Sequence, residues 1–416
     1  MGEASGESEI VRMDILFAIG DLHGDLERAH AALAMCGLAN QTHWTGGRAT
    51  LVQTGDLVDR GRSSLQVIAL FDALEQQARE SGGKCTRLLG NHELLNMQGD
   101  FRYVHPSEMS AVGPGAWRGM FDPRVGALAQ RLIAQQPVAT VAGAGGCRTL
   151  FIHAGLHPRH LRPKAGASWP EQQRDLNARV AAQLQRAREG GGDLLGGEGP
   201  LWYRGYAEYA EGSVCAQLRT VLDAAGAWRM VVGHTITPDH KHVNVRCGGM
   251  LHMIDVGMSS AYYGSLAAWT CQPRHDLGPG WVSASALYPN PSRRRPAEAR
   301  EGRLGGTSAA VVLQTVYVPR APRAGGRLST RVHDDGASQP WARAGAADVT
   351  TEAVAACAHS NVRRCQRLWG LCPWVARHPH PPMSHPRAAL CVLHIHSHPS
   401  TFWAVCRDQS GRRCWR

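Results

Sequence analysis

Ile15-Leu16-Phe17-Ala18-Ile19-Gly20-Asp21-Leu22-His23-Gly24 is an apolar run that stops at a glycine and then delivers an acid and an imidazole. Five consecutive apolar residues read as a buried strand, and the glycines let the chain turn sharply, so that Asp21 and His23 point into a cleft. Apolar positions Leu26, Ala29, Leu33 and Cys36 follow at helical spacing. The unit recurs. A strand over 49–53 runs into Gly55-Asp56-Leu57-Val58-Asp59-Arg60-Gly61, with a helix over 63–80, and a strand over 85–89 runs into Gly90-Asn91-His92-Glu93. Further on, strands over 149–152, 230–232 and 251–256 end at His153-Ala154-Gly155, Gly233-His234 and Gly257. Strands alternating with helices indicate an α/β fold with largely parallel pairing, and helices are also expected over 124–136 and 171–189. Function in such folds lies beyond the carboxyl ends of the strands, where every block falls.

Asp, His and Asn offer hard oxygen and borderline nitrogen ligands that suit divalent Mn, Fe or Zn. The candidate ligands are Asp21, His23, Asp56, Asn91, His153 and His234. Two cations held close together need a bridging ligand, and a carboxylate with its two oxygens does this best; Asp56 is the candidate. One His or Asp at a strand end is more often structural than a ligand, but six suitable side chains after five strands point to a dinuclear hydrolytic site. Such a site lowers the pKa of water and supplies hydroxide without a protein base. The charge that develops on a transferred phosphoryl group calls for fixed cations. Arg60, inside a ligand block, has the guanidinium geometry for two phosphate oxygens. His92 adjoins Asn91 and is placed to protonate the leaving oxygen, with Asp59 as its hydrogen-bond partner. The alternative for Asp59 is a salt bridge to a neighbouring Arg.

A net charge of +11 over 416 residues suggests nucleic acid until it is divided along the chain. Residues 1–272 carry 25 Lys+Arg against 26 Asp+Glu, whereas residues 273–416 carry 20 Arg against 8 acids. The ligand-bearing part is therefore nearly neutral, and the Arg-rich part lacks the aromatic interleaving of a base-stacking surface, so nucleic acid is not the expected partner. No apolar run of about 18 residues is present, so no membrane span is expected. The first residues, Met1-Gly2-Glu3-Ala4-Ser5-Gly6, carry neither a basic nor an apolar stretch, so no signal peptide is expected. Cys36, Cys85, Cys147, Cys215, Cys247 and Cys271 are scattered singly, which reads as free buried thiols in a reducing compartment, the cytoplasm. The organisation expected is a flexible N-terminus over 1–11 and a catalytic domain over 12–272, its end extensible to about 290. Residues 273–416 form a Pro/Arg/Gly/Ala-rich, largely disordered tail whose Cys and His residues over 357–416 lack paired zinc-ligand spacing.

These blocks resemble the phosphoprotein phosphatase superfamily, whose pattern is GDxHG, GDxVDRG, GNHE, HGG and a later His. The resemblance spans residues 14 to about 265 and is strongest to the bacterial-type branch called Shewanella-like protein phosphatases. It is supported by Trp44-Thr45-Gly46-Gly47, Met97-Gln98-Gly99-Asp100-Phe101-Arg102-Tyr103, Gly199–Gly205 and Ile254-Asp255-Val256-Gly257-Met258-Ser259-Ser260-Ala261-Tyr262. The resemblance implies a calcineurin-like sandwich of two β-sheets flanked by helices. It assigns Asp21, His23 and Asp56 to one metal and Asp56, Asn91, His153 and His234 to the other. It adds Arg204 to Arg60 as a phosphate ligand, with Asn91 also at the phosphate. It implies a phosphoprotein substrate with a leaning to phosphotyrosine over phosphoserine and phosphothreonine, and two divalent ions, with Mn serving in vitro. A diadenosine tetraphosphate hydrolase shares the motifs and is the rival reading; a nucleic-acid binder acting through the Arg tail is the third. Departures are Ala154 in the HGG motif, Leu89 where common Ser/Thr phosphatases carry Arg, and replacement of their Ser-Ala-Pro-Asn-Tyr segment by residues 255–264.

Overall fold

The computed structural model describes residues 15–162, 167–190, 192–274 and 281–289, and the backbone of five further strands between 310 and 414. The opening apolar run forms β1 (Leu16–Ile19). It pairs in parallel with β4 (Thr50–Gln53), which pairs in parallel with β5 (Lys84–Arg87). On its other side β1 pairs antiparallel with β11 (Ala268–Pro273), followed outward by β12 (Val282–Tyr288), β13 (Ala310–Tyr317) and β14 (Thr330–Arg331), giving seven strands. A ribbon of β2 (Ala39–Asn40) and β3 (His43–Trp44) lies between β1 and β4 in sequence. The second sheet has five strands in the order β6 (Ala139–Ala142), β7 (Thr149–Ile152), β8 (Arg229–Val232), β10 (Leu251–Met253), β9 (Asn244–Arg246). Its β7, β8 and β10 are parallel and its two edges antiparallel.

Strands β1, β7, β8 and β10 are buried along their whole length because both of their faces are covered. Leu16, Ala18, Val52, Phe151, Val231, Ile254 and Trp269 share one buried cluster made by residues of both sheets. Their alternate neighbours Phe17, Ile19, Leu51, Leu150, Ile152, Met230 and Val232 belong to a second cluster, shared with helical residues such as Leu33, Phe71 and Leu218. The first compact unit is thus a sandwich of two sheets with helices outside, as the resemblance implied. The covering helices include α1 (Leu26–Met35), α2 (Ser64–Glu80), α3 (Asn91–Gln98), α4 (Pro106–Val112), α5 (Pro114–Met120), α6 (Ala127–Gln135) and α7 (Trp169–Leu184). Short α8 (Gly205–Glu208) and α9 (Glu211–Ala225) complete them.

Two expectations change. Four of the six cysteines read as free thiols are paired: Cys147 with Cys271, and Cys215 with Cys247, at Cα separations of 5.7 and 5.4 Å. They lie 124 and 32 residues apart in the chain, so single spacing along the sequence said nothing of their proximity in space. Cys36 and Cys85 remain free and buried. The reading of a reducing compartment loses four of the six thiols it rested on. The sheet also continues beyond residue 272. Trp269 is fully buried, donates its indole N–H to His252 Nδ1 at 3.1 Å, and sits in β11, on which β12 pairs over its whole length. Most of residues 290–416, including most of the Cys/His-rich stretch, lies outside the described residues. Within a separate unit over 335–416, β15 (His394–His398), β16 (Thr401–Arg407) and β17 (Arg413–Cys414) form an antiparallel sheet. Among the described residues, no helix is long and apolar enough to cross a membrane.

Candidate metal centre

Nine of the ten side chains singled out follow the carboxyl ends of β1, β4, β5, β7 and β8, and Arg204, just before α8, reaches them through His234 O and Thr235. The turns that carry them are strained. Five of the eight non-glycine residues with positive φ among the described residues are His23, Asp56, Asp59, Arg60 and His234. Left-handed backbone at such residues costs about 1–3 kcal/mol each and persists only where surrounding contacts enforce it. Those contacts are visible. The Asp56 carbonyl accepts the amides of Leu22 and His23, and Gly61 N donates to His23 O at 2.8 Å, so the first two loops are laced together. Buried Glu93 accepts N–H bonds from Leu57 at 2.8 Å, Gly90 at 2.8 Å, Asp56 at 3.1 Å and Val58 at 3.3 Å. Two glycines are required by close approach: a Cβ on Gly90 would overlap the carboxylate and amide of Asp56, and one on Gly233 would overlap the Asp21 carboxylate.

Asp56 is the hub. Its Oδ2 lies 3.7 Å from His23 Nε2 and its Oδ1 3.5 Å from His153 Nε2, and its Oδ1 accepts the His92 amide at 2.9 Å. His23 Nδ1 donates to Val58 O at 3.3 Å and His153 Nδ1 to Thr54 O at 2.8 Å. Each bond fixes the tautomer, so both Nε2 lone pairs face the carboxylate, the arrangement that metal-ligating histidines adopt. Asn91 Oδ1 is 2.9 Å from His153 Nε2. Two sets of donor atoms within 4.8 Å of one another share Asp56: His23, Asp56 and His92, and Asp56, His153 and His234. Asp21 stands in neither set; its Oδ2 accepts the His234 amide at 2.9 Å, and it lies against Asp255.

The electrostatics ask for cations. Burial, then the charges of Asp255 and Asp56, push Asp21 well above the ordinary carboxylate range. Burial likewise raises Asp56 to about 6 and Asp255 to about 7. Burial lowers His153 to about 4 and depresses His23 and His234, so these imidazoles are neutral and free to ligate. His234 Nε2 is buried with no hydrogen-bond partner among the described residues. Crowded carboxylates, neutral imidazoles and an orphaned nitrogen fit a pair of divalent cations.

Beside the hub, His92 Nδ1 meets Asp59 Oδ2 at 2.6 Å. Burial alone would depress this imidazole, but the carboxylates of Asp56 and Asp59 outweigh it and raise its pKa. The Asp59 carboxylate therefore pairs with His92; among the described residues no arginine bridges it. Arg60 is half-buried, its guanidinium 4.1 Å from the ring centre of Tyr103 and 5.6 Å from that of Tyr262. Arg204 donates to Thr235 Oγ1 at 2.9 Å and His234 O at 3.2 Å. Sequence reasoning gave no role to Glu93, Asp255, Tyr103 or Tyr262, although all lie within stretches it quoted. Asn96 and Trp117 it passed over.

The comparisons agree with this geometry. Residues 16–237 match the Calcineurin-like phosphoesterase family. An uncharacterised protein of Schizosaccharomyces pombe is 35% identical over 266 residues, 63% of this chain and 78% of that one. Shewanella-like protein phosphatase 2 of Arabidopsis thaliana is 29% identical over 336 residues, 69% of this chain and 83% of that one. The solved structure of a mutant cold-active protein tyrosine phosphatase superposes with a TM-score of 0.51 at 24% identity, covering 65% of this chain and 77% of that one, and shares the fold. The chain belongs to the calcineurin-like phosphoesterase family, and is a hydrolase of that metallophosphatase class.

Proposed function

We propose that the protein is a phosphoprotein phosphatase that hydrolyses phosphate monoesters, with a leaning to phosphotyrosine. The observation that carries this reading is a hydrogen-bonded acid–imidazole pair, Asp59–His92, set directly against the shared carboxylate Asp56. Asp21, His23, Asp56, Asn91, His153 and His234 would hold two divalent ions, with Mn the expected one in vitro. When bound, such a pair lowers the pKa of water and neutralises phosphate charge. The chain's own side chains do the rest. Arg60 and Arg204 bind the phosphoryl oxygens, a planar guanidinium matching two of them at once. Tyr103 and Tyr262 flank Arg60 and limit its travel. His92 holds its Nδ1–H on Asp59, leaving the Nε2 proton for the departing oxygen. The name of the Arabidopsis relative supports a protein substrate.

A panel with Mn²⁺ tests this: phosphotyrosyl and phosphoseryl peptides beside diadenosine tetraphosphate. Turnover of peptides, fastest on phosphotyrosine, is expected. Turnover of the dinucleotide with none of any peptide would replace this reading by the dinucleotide hydrolase.

A further inference from the structure

Behind the Asp59–His92 pair runs a buried chain of hydrogen bonds that leaves the metal loops altogether. Asn96 lies one turn beyond His92 on α3 and is fully buried. Its Nδ2 donates to Asp59 Oδ1 at 2.8 Å and to the His92 carbonyl at 3.0 Å. Its Oδ1 accepts the indole N–H of Trp117 at 2.8 Å. Trp117 comes from α5, is fully buried, and stacks on Phe121 with ring centres 5.3 Å apart. An indole N–H can only donate, so the amide of Asn96 has one permitted orientation: oxygen to Trp117, nitrogen to Asp59. Asp59 is then confined to accepting, Oδ1 from Asn96 and Oδ2 from His92, while its own amide is held by Ser64 Oγ at 3.1 Å.

We infer that Asn96 and Trp117 are positioning residues for the proton donor, a latch that orders Trp117, Asn96, Asp59 and His92 so that the Nε2 proton of His92 faces the leaving oxygen. This rests on the reading of His92 as general acid. The step served is the hydrolysis of a phosphate monoester. The bond from phosphorus to the leaving oxygen breaks as one from phosphorus to a water oxygen forms. The Nε2 proton passes to the leaving oxygen, giving an alcohol or phenol and inorganic phosphate, and the imidazole regains its proton from water. A leaving group that departs readily as an anion needs no such proton, so a fault in the latch shows selectively on poor leaving groups.

The experiment compares kcat on phenyl phosphate with kcat on dinitrophenyl phosphate for Trp117→Phe, Asn96→Ala and His92→Ala, with bound metal and KM measured for each. Trp117→Phe removes the N–H and keeps a stacked ring, so it serves where Asn96→Ala fails to fold. Outer partners of this kind change activity by about 10–100-fold. The expected result is a loss of that size on phenyl phosphate and of less than about threefold on dinitrophenyl phosphate, with metal content and KM unmoved. Equal losses on both substrates in the latch variants, or none on either, would overturn the latch. If His92→Ala alone shows the leaving-group dependence, the general acid stands and the latch falls. If His92→Ala loses equally on both substrates, both readings fall.

Discussion

His92 has a choice of duties that distance alone does not decide, because its ring shares a 4.8 Å donor cluster with His23 and Asp56 while its Nδ1 is taken by Asp59. An imidazole raised by two carboxylates is better suited to carrying a proton than to ligating a cation. His92→Ala is accordingly expected to lower kcat by about 10²–10⁴ with both metals still bound. Metal analysis of the variant checks this, and loss of an ion would make His92 a ligand. The six candidate metal ligands were legible in the sequence because each follows a glycine-punctuated strand end, whereas Arg204, just before α8, came only through the resemblance. Asp255 was harder to place: it sits in the apolar strand-end stretch Leu251–Val256 and acquires meaning only when the fold brings it against Asp21. Asn96 and Trp117 were invisible for a related reason, since an Asn in a helix and a Trp in a connecting stretch gain a role only through contact.

At the level of elements, the strained turn between β4 and α2 and the start of α3 act as one piece, held by the four N–H bonds to Glu93. Gly90 is its tightest point. Gly90→Ala places a methyl on the Asp56 carboxylate and amide, so the loop must shift. Overpacking of this kind costs about 1–3 kcal/mol. The expected outcome is a folded protein whose melting temperature no longer rises when Mn²⁺ is added; an unchanged rise would show that the Asp56 loop tolerates displacement. The strands that lead into the site and helices α1, α2, α6 and α7 could be read from apolar runs and 3.6-residue spacing, whereas α9, β6 and β11 were not read. The expected helix over 124–136 is α6, for example, and that over 171–189 is α7. Helices α4 and α5 are too short for periodicity to declare, at seven residues each, and α5 is the element that supplies Trp117.

For the whole molecule, the two sheets are joined by more than side-chain packing. Cys147 precedes β7 of one sheet and Cys271 lies in β11 of the other, so their disulfide ties the sandwich across its interior. Such a cross-link over a long loop stabilises by about 2–4 kcal/mol. The Cys147→Ser/Cys271→Ser double variant is expected to melt several degrees lower than the oxidised protein, and reductant should move the parent toward it; identical melting curves would mean the pair is not formed in solution. Because β12 covers β11, a chain ending at 272 is expected to lose solubility, whereas one ending at 289 keeps β12 and is expected to keep activity. Comparing soluble yield and turnover of the two truncations checks this. The first end read from composition, 272, falls before β12 because β12 (Val282–Tyr288) carries Ser and Ala among its apolar residues and reads weakly as a strand; the extension to about 290 includes it. The account stands or falls on the shared carboxylate. The most direct measurement is metal content and phosphotyrosyl-peptide turnover on the same dialysed samples of the parent protein and Asp56→Asn. Two cations per parent chain are expected, with turnover following occupancy, and Asp56→Asn should hold fewer than two and fall to background. Turnover by metal-free protein, or an Asp56→Asn chain with two cations and parental turnover, would contradict it.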